Sequence, residues 1–479
     1  MGILTAVSSR VTDFKRRKAL EILTTSQPAD LVAYGEKELI RCFKRAALQV
    51  PAYRRLLAEH RVPVEAVRDI PSFTEQVPVI TKDLIFPHHS LRDLCVEGSF
   101  DSLRSIMTSS GFSGKFAYGI SSTRNRQETI FGLDTTLDYT FQTSRKKTLF
   151  INCLPMGVTI PTTLPVADTS VRSDMALAIL TKLKHEFDQF LCISDPHFLK
   201  KILEDGLAQG LDWKTINIHL ITGDDWVPES FRTYLGNILG TDWETMERGF
   251  IGGTMGVCEL GLSLFHESRH SVRIQRLAAE NRALRYALYG DGVEVLPTLF
   301  HYYPHRTYLE LAGEGTGPRD LVISTLGDTL MMPMFRYNVQ DAALLIPYER
   351  LVQVLSDHGH AELAPDLKLP LVAIFGRTGR MITTATGTVT PEQIKEGLYR
   401  TAAVAAATTG HFKLSSSNGI AHLEVQLRKG LQPDQQSIDL FTQHLLSCTS
   451  ATCQLRLYSY QQYPHQMELD YERKFRNID

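Results

Sequence analysis

The chain has 479 residues, a formal net charge of −2 at pH 7, and a composition 43% hydrophobic and 22% charged. That length allows two or three domains around a large core, and the near-neutral charge gives no reason to expect nucleic acid or an anionic membrane as partner. No apolar run is long enough to span a bilayer, and Met1 to Arg17 lacks the sustained apolar core of an export signal. Seven cysteines, at 42, 95, 153, 192, 258, 448 and 453, follow no paired spacing and suit a reducing compartment, so a cytoplasmic protein is expected.

Taken in order, Leu31, Tyr34, Leu39, Phe43, Ala47 and Tyr53 recur at near-helical spacing and predict helices across 30–59, with Pro51 opening a second one. The proline-punctuated segments at 70–73 and 77–80 read as extended chain leading to Thr81-Lys82-Asp83. A helix is predicted over 125–141, and the continuous apolar run 148–154 has the character of a central strand. A helix at 176–187, a strand at 190–193, a helix from 198 and a strand at 216–223 follow. This alternation predicts an α/β fold with a mixed, mostly parallel sheet and ligands at strand C-terminal ends. The charge-rich stretch 265–288 reads as one long helix with a solvated face. Strands are expected within 299–311, 321–326 and 343–346, and the apolar run 372–375 precedes Gly376-Arg377-Thr378-Gly379-Arg380. Beyond them the character changes. A helix capped near Pro391, a strand at 422–428, a helix at 434–446 and a strand at 453–458 predict a small α+β unit. The expected division is 1–378 for the large domain and 379–479 for the small one.

The stretch with most chemical promise is Thr108-Ser109-Ser110-Gly111-Phe112-Ser113-Gly114-Lys115. Backbone amides and hydroxyls in such a run can turn inward on a polyphosphate, with the lysine as a mobile cation. It is not a Walker loop, because only two residues separate its glycines and Phe116 follows the lysine. An ordinary flexible turn is the competing reading.

Six further segments change that balance by their order. "AYRRLLAEH" with "IPSFTEQVPVITKDLI", "ITGDDW", "MGVCE", "DLVISTL" followed by "PMFRYNVQD", "FGRTGRM" and "GTVTPEQI" stand in one succession around "TSSGFSGK". Together they resemble the adenylate-forming acid ligases, specifically the branch containing phenylacetate–coenzyme A ligase, over roughly residues 45–479. The resemblance implies a large ATP- and acid-binding domain, a small mobile C-terminal domain, and an AMP-forming activation of a small carboxylic acid. ATP, Mg²⁺ and coenzyme A are the implied cofactors, with a carrier protein or an amine as the alternative acyl acceptor and a homodimer as the usual assembly. Ser109, Ser110, Gly111, Ser113, Gly114 and Lys115 would hold the departing phosphates. Glu259 would hold Mg²⁺, Gly223 and Asp224 would meet adenine, Asp341 the ribose hydroxyls, and Arg377 the nucleotide near the hinge. "YERKFRNID" resembles the family's lysine-bearing terminus and assigns Lys474 to the carboxylate and α-phosphate. An acid pocket is expected between 155–162 and 252–255.

Several residues depart from the family pattern. Phe112 stands where a hydroxyl is usual, Met255 and Cys258 replace an aromatic residue and a hydroxyl, and Gly379-Arg380 replaces an acidic hinge pair. Gln340 replaces the glycine before Asp341, so this turn must avoid positive φ or carry strain. The hinge change bears on the coenzyme A step, and an unusual acid or acceptor fits these departures. Two other chemistries were weighed: a zinc site from Cys258, His266, His270, His301 and His305, and Cys258 as an acyl-accepting nucleophile. A nucleotide-binding protein without catalysis is the remaining alternative.

Overall fold

The computed structural model describes residues 2–109, 116–223, 225–449, 451–465, 471, 475, 477 and 478, with side chains from 11 onward. Ser110, Gly111, Ser113, Gly114, Lys115, Asp224 and Lys474 therefore lie outside the described residues.

Helices Pro28–Gln49 and Pro51–Glu59 form as the apolar spacing predicts, the second opening on Pro51. The segment expected to be extended at 70–73 is instead the helix Ile70–Gln76. Asp69 accepts from the Ser72 amide and the Ser72 hydroxyl caps the Asp69 amide, while Pro71 sits in the first turn, where its missing N–H costs nothing. Strand β1 (Leu103–Thr108) and β2 (Tyr118–Ser122) form an antiparallel hairpin around the glycine-rich stretch. Helix Thr123–Phe141 follows directly, capped by Ser122.

The parallel half of the main sheet is built from β3 (Thr148–Asn152), β4 (Val166–Asp168), β5 (Gln189–Ser194), β6 (Ile218–Thr222) and β7 (Ile251–Val257). Every residue of β3 and β5 is buried, because helices cover both faces, and that explains their unbroken apolar runs. An antiparallel half continues through β8 (Gly261–His266), β9 (Thr298–Tyr302), β10 (Thr307–Ala312), β11 (Arg319–Thr325), β12 (Tyr337–Ile346) and β13 (Leu371–Arg377). The resulting 11-stranded sheet runs β10-β11-β12-β13-β9-β8-β7-β6-β5-β3-β4. The expected single helix over 265–288 is two helices, Arg269–Glu280 and Arg282–Tyr289, because Asn281 ends one and caps the next.

After β13 come the hairpin β14 (Ile382–Thr384) and β15 (Gly387–Val389), then helix Pro391–Tyr399 with a Thr390/Gln393 capping box. A three-stranded sheet of β16 (Thr408–Ser417), β17 (Ile420–Leu427) and β18 (Cys453–Tyr458) closes the unit, backed by helix Gln435–Leu445. This small α+β part does not stand apart. One hydrophobic core runs from Phe198, Ile202, Phe231 and Leu235 into Ile394, Leu398, Tyr399, Val404 and Phe412. Phe231 meets Tyr399 edge-on at 4.7 Å, and buried Lys200 donates to Glu204 and to the Thr408 carbonyl, each at 2.7 Å. A fully buried side chain of this size contributes about 1.5–3 kcal/mol.

The same interface holds His197 and His411, whose rings lie 5.0 Å apart. Burial keeps both neutral, pushing His411 down to about 4 and His197 well below its ordinary value, the latter also opposed by the charge of His411. A group with a depressed folded pKa that is cationic when protonated stabilises the fold above its unfolded pKa. For His411 that contribution fades as pH falls from about 6.5 toward 4, by up to about 3 kcal/mol, and His197 acts in the same direction. Urea denaturation should therefore give a lower midpoint at pH 5 than at pH 7.5, and His411→Gln should flatten the difference.

Candidate active site

Three chain segments meet at the mouth of the β1–β2 hairpin. Ser109 closes β1: its amide donates to the Ala117 carbonyl and its hydroxyl accepts from the Ala117 amide, both at 2.9 Å. Lys82 reaches the Ser109 hydroxyl at 3.4 Å from the N-terminal end of helix Lys82–Ile85. That helix is placed because Ile80 pairs with the start of β12 through bonds to Arg336 and Asn338. Gly119 of β2 lies against the Cys258 carbonyl, and a side chain there would bring its Cβ to 2.1 Å from that oxygen. Only glycine lets the hairpin settle on the end of β7.

Glu259 follows at once and accepts the hydroxyl of Tyr337, the first residue of β12. Burial and the adjoining Glu259 carboxylate push the tyrosine pKa far up, so it remains a donor. Glu259 is half-buried, and a single carboxylate is a donor that Mg²⁺ takes alongside phosphate oxygens. The residues present fit that ion.

Four residues along the strand from Tyr337, about 13 Å at ordinary rise, is Asp341. It is buried, and its Oδ1 lies 3.2 Å from Nε of Arg377, its register partner on β13. Arg377 also donates to the Val339 carbonyl at 2.6 Å. Gln340 adopts φ +62°, so of the two outcomes expected for this turn it takes the second, a non-glycine residue in the left-handed region. The Asn338 side chain accepts the Gln340 amide at 2.7 Å and holds the left-handed conformation that glycine would take more easily.

At the end of β6, the Gly223 amide donates to the Ser194 carbonyl at 3.1 Å and the Asp225 amide to the Gly223 carbonyl at 2.9 Å. Asp225 pairs with buried Lys395 at 2.6 Å. Arg380 lies within the field of Arg377, Asp225, Glu392 and Asp341, and its own burial lowers its pKa. Glu259, Ser109, Asp341, Arg377 and Gly223 are thus arrayed along one route from the hairpin to the start of the small part.

Tyr337, Lys82, Asp225 and Lys395 were not given a role in the sequence, and Arg380 entered there only as a departure at the hinge. The tyrosine inside "FRYNVQD" and the second aspartate of "ITGDDW" were the available signals.

The alternative chemistries do not survive. Among the described residues, no group of three or more His, Cys, Asp or Glu could hold a metal ion, which removes the zinc site. His266 stacks on Tyr303 at 5.4 Å, His301 bonds Ser268 at 2.9 Å, and both are kept neutral in the core by burial. Cys258 fails as a nucleophile because burial and Glu259 push its thiol up to about 11. The solvated-face expectation for 265–288 is wrong for Glu267 and Arg276. Glu267 is buried against Arg232, and Arg276 bonds Glu229 and Thr233.

No family model and no curated protein matches the chain. Solved structures do. 2-Hydroxyisobutyryl-CoA ligase in the postadenylation state with 2-HIB-AMP superposes with a TM-score of 0.68 at 12% identity, covering 96% of this chain and 91% of that one. The same ligase with 2-HIB-AMP and CoA in the thioesterification state gives 0.56 at 12% identity, over 95% and 90%. Anthranilate CoA ligase AuaEII with anthranoyl-AMP gives 0.51 at 11% identity, over 89% and 79%. The fold is therefore shared with these CoA ligases: a large mixed α/β sheet flanked by helices and a small C-terminal α+β domain.

Proposed function

We propose that the chain activates a small carboxylic acid as its acyl adenylate with ATP, releasing pyrophosphate, and passes the acyl group to the thiol of coenzyme A. The observation that carries this reading is the alignment of Ser109, Glu259, Asp341 and Arg377 along one route on a fold shared with ligases whose structures hold acyl adenylates.

A carboxylate must attack the α-phosphorus of a polyanion that repels it, so catalysis is positioning and charge neutralisation. Ser109 and the residues through Lys115 hold the leaving pyrophosphate, with Lys82 beside them. Glu259 would hold Mg²⁺, which would supply neutralising charge to the phosphate oxygens. Tyr337 fixes the Glu259 carboxylate by donating to one oxygen. Asp341 takes the ribose hydroxyls, and Gly223 with Asp224 takes adenine. Lys474 bridges the acid and the α-phosphate, a task for a flexible stem with a point charge. The division 1–378 and 379–479 places this lysine on the small domain. The acid lies between 155–162 and 252–255, and an aryl acid of the phenylacetate class is the first to try. Seven free cysteines favour action in the cytoplasm, and no helix among the described residues is long and apolar enough to cross a membrane.

Lys474→Ala should leave ATP affinity within about twofold and slow adenylate formation by about 10²–10³, since it removes a charge acting at the reacting centre. Pyrophosphate release and ATP titration on the same preparation check this. A carrier protein or an amine as acceptor would show as acid-dependent pyrophosphate release without a coenzyme A thioester. ATP binding without release would mark a non-catalytic homologue.

A further inference from the structure

The small domain does more than cover the nucleotide route. Helix Pro391–Tyr399 places its first two turns against Asp225, after β6, and against Gly376 of β13. Lys395, 4% exposed, binds Asp225 at 2.6 Å, three atoms of which are spent locally: one carboxylate oxygen on Lys395, the other accepting the Trp226 amide at 2.9 Å, and the Asp225 amide on the Gly223 carbonyl. Glu392, one turn earlier, packs on Gly376 of β13, next to Arg377; a side chain at 376, where φ is +112°, would meet its carboxylate at 2.6 Å. Ser230 bonds the Glu396 carbonyl at 2.9 Å, and Phe231 packs on Tyr399. The helix is held along its whole length.

We propose that Lys395 is a positioning residue for nucleotide binding: from the small domain it fixes the Gly223–Asp225 turn, so this turn is fully formed only while the small domain keeps the observed posture. The inference rests on the adenylation reading of the site and adds a coupling to it. A turn tied to an ammonium from another domain loses its shape when that domain leaves, so adenine affinity and domain posture become linked quantities.

The test uses the full chain and Mg–ATP as probe. Lys395→Met should raise the Kd and KM for ATP about tenfold, leave KM for the acid within about twofold, and be largely rescued by Lys395→Arg. Asp225→Asn, which keeps the volume, should match it, and the double variant should be no worse than either single one. If Lys395→Met does not fold, Asp225→Asn and Lys395→Arg carry the same comparison. Equal losses for ATP and acid, or unchanged ATP affinity, overturn the proposal while leaving adenylation intact. Wild-type protein that binds no ATP overturns the adenylation reading itself.

Discussion

Asp341→Ala should weaken ATP binding by about 10²–10⁴, while the melting temperature stays close to that of the unmodified chain. Two hydrogen bonds from ribose hydroxyls to a carboxylate are worth about 1.5–3 kcal/mol each, and both vanish together. The structural cost is small. Asp341 is itself buried, but its ion-pair partner Arg377 is about half exposed, at 47%, and retains its bond to the Val339 carbonyl. A pair open to water on one side contributes about 1 kcal/mol or less. Calorimetric titration with Mg–ATP alongside a thermal melt separates the two effects. Affinity lost with stability kept supports a ribose-binding carboxylate. Loss of both in proportion makes Asp341 a structural residue.

Glu267→Ala has the opposite signature, a large loss of stability. Glu267 and Arg232 are each 1% exposed, and the carboxylate takes Arg232 at 3.0 Å, the Gly253 amide at 2.5 Å and Gln275 at 2.5 Å. Burial works against the charge on Arg232, yet Glu229 and Glu267 together hold its pKa above the ordinary value. Removing Glu267 strands a buried guanidinium half-compensated and orphans two donors. Breaking such a pair costs about 3–5 kcal/mol, a large share of the stability of a typical domain. The urea midpoint should fall accordingly. Replacing both partners, with Arg232→Met and Glu267→Leu, should recover part of the loss, because no uncompensated charge then remains. Gly253 lies on β7 beside the end of β6, so the network also sets the floor under Gly223. A residual ATP affinity lower in Glu267→Ala than in the double variant would report on that floor.

The parallel half of the sheet was legible because strands buried on both faces write themselves as unbroken apolar runs, as at 148–154, 190–193 and 216–223. The β7–β8 hairpin was not. Its Ile251-Gly252-Gly253-Thr254-Met255-Gly256 run was given no element, because three glycines in six residues hide a strand whose character depends on pairing with β6 and β8. The helix at 70–76 was missed because Pro71 was weighed as a breaker and the Asp69/Ser72 capping box was not recognised. Glu267 and Arg276 were placed on a solvated face for the same kind of reason: their partners at 232 and 229 come from another helix, and no spacing rule pairs charges across elements. Of the site, the residues carried by motif order, Ser109, Glu259, Asp341, Arg377 and Gly223, are brought along one route. Lys395 could not be found that way, since its meaning depends on Asp225, 170 positions earlier.

Pyrophosphate release from Mg–ATP, followed across aryl and short-chain carboxylic acids, tests the central claim most directly. The account predicts release that depends on one class of acid and disappears in Asp341→Ala. Folded protein that neither binds Mg–ATP nor releases pyrophosphate with any acid offered would contradict it.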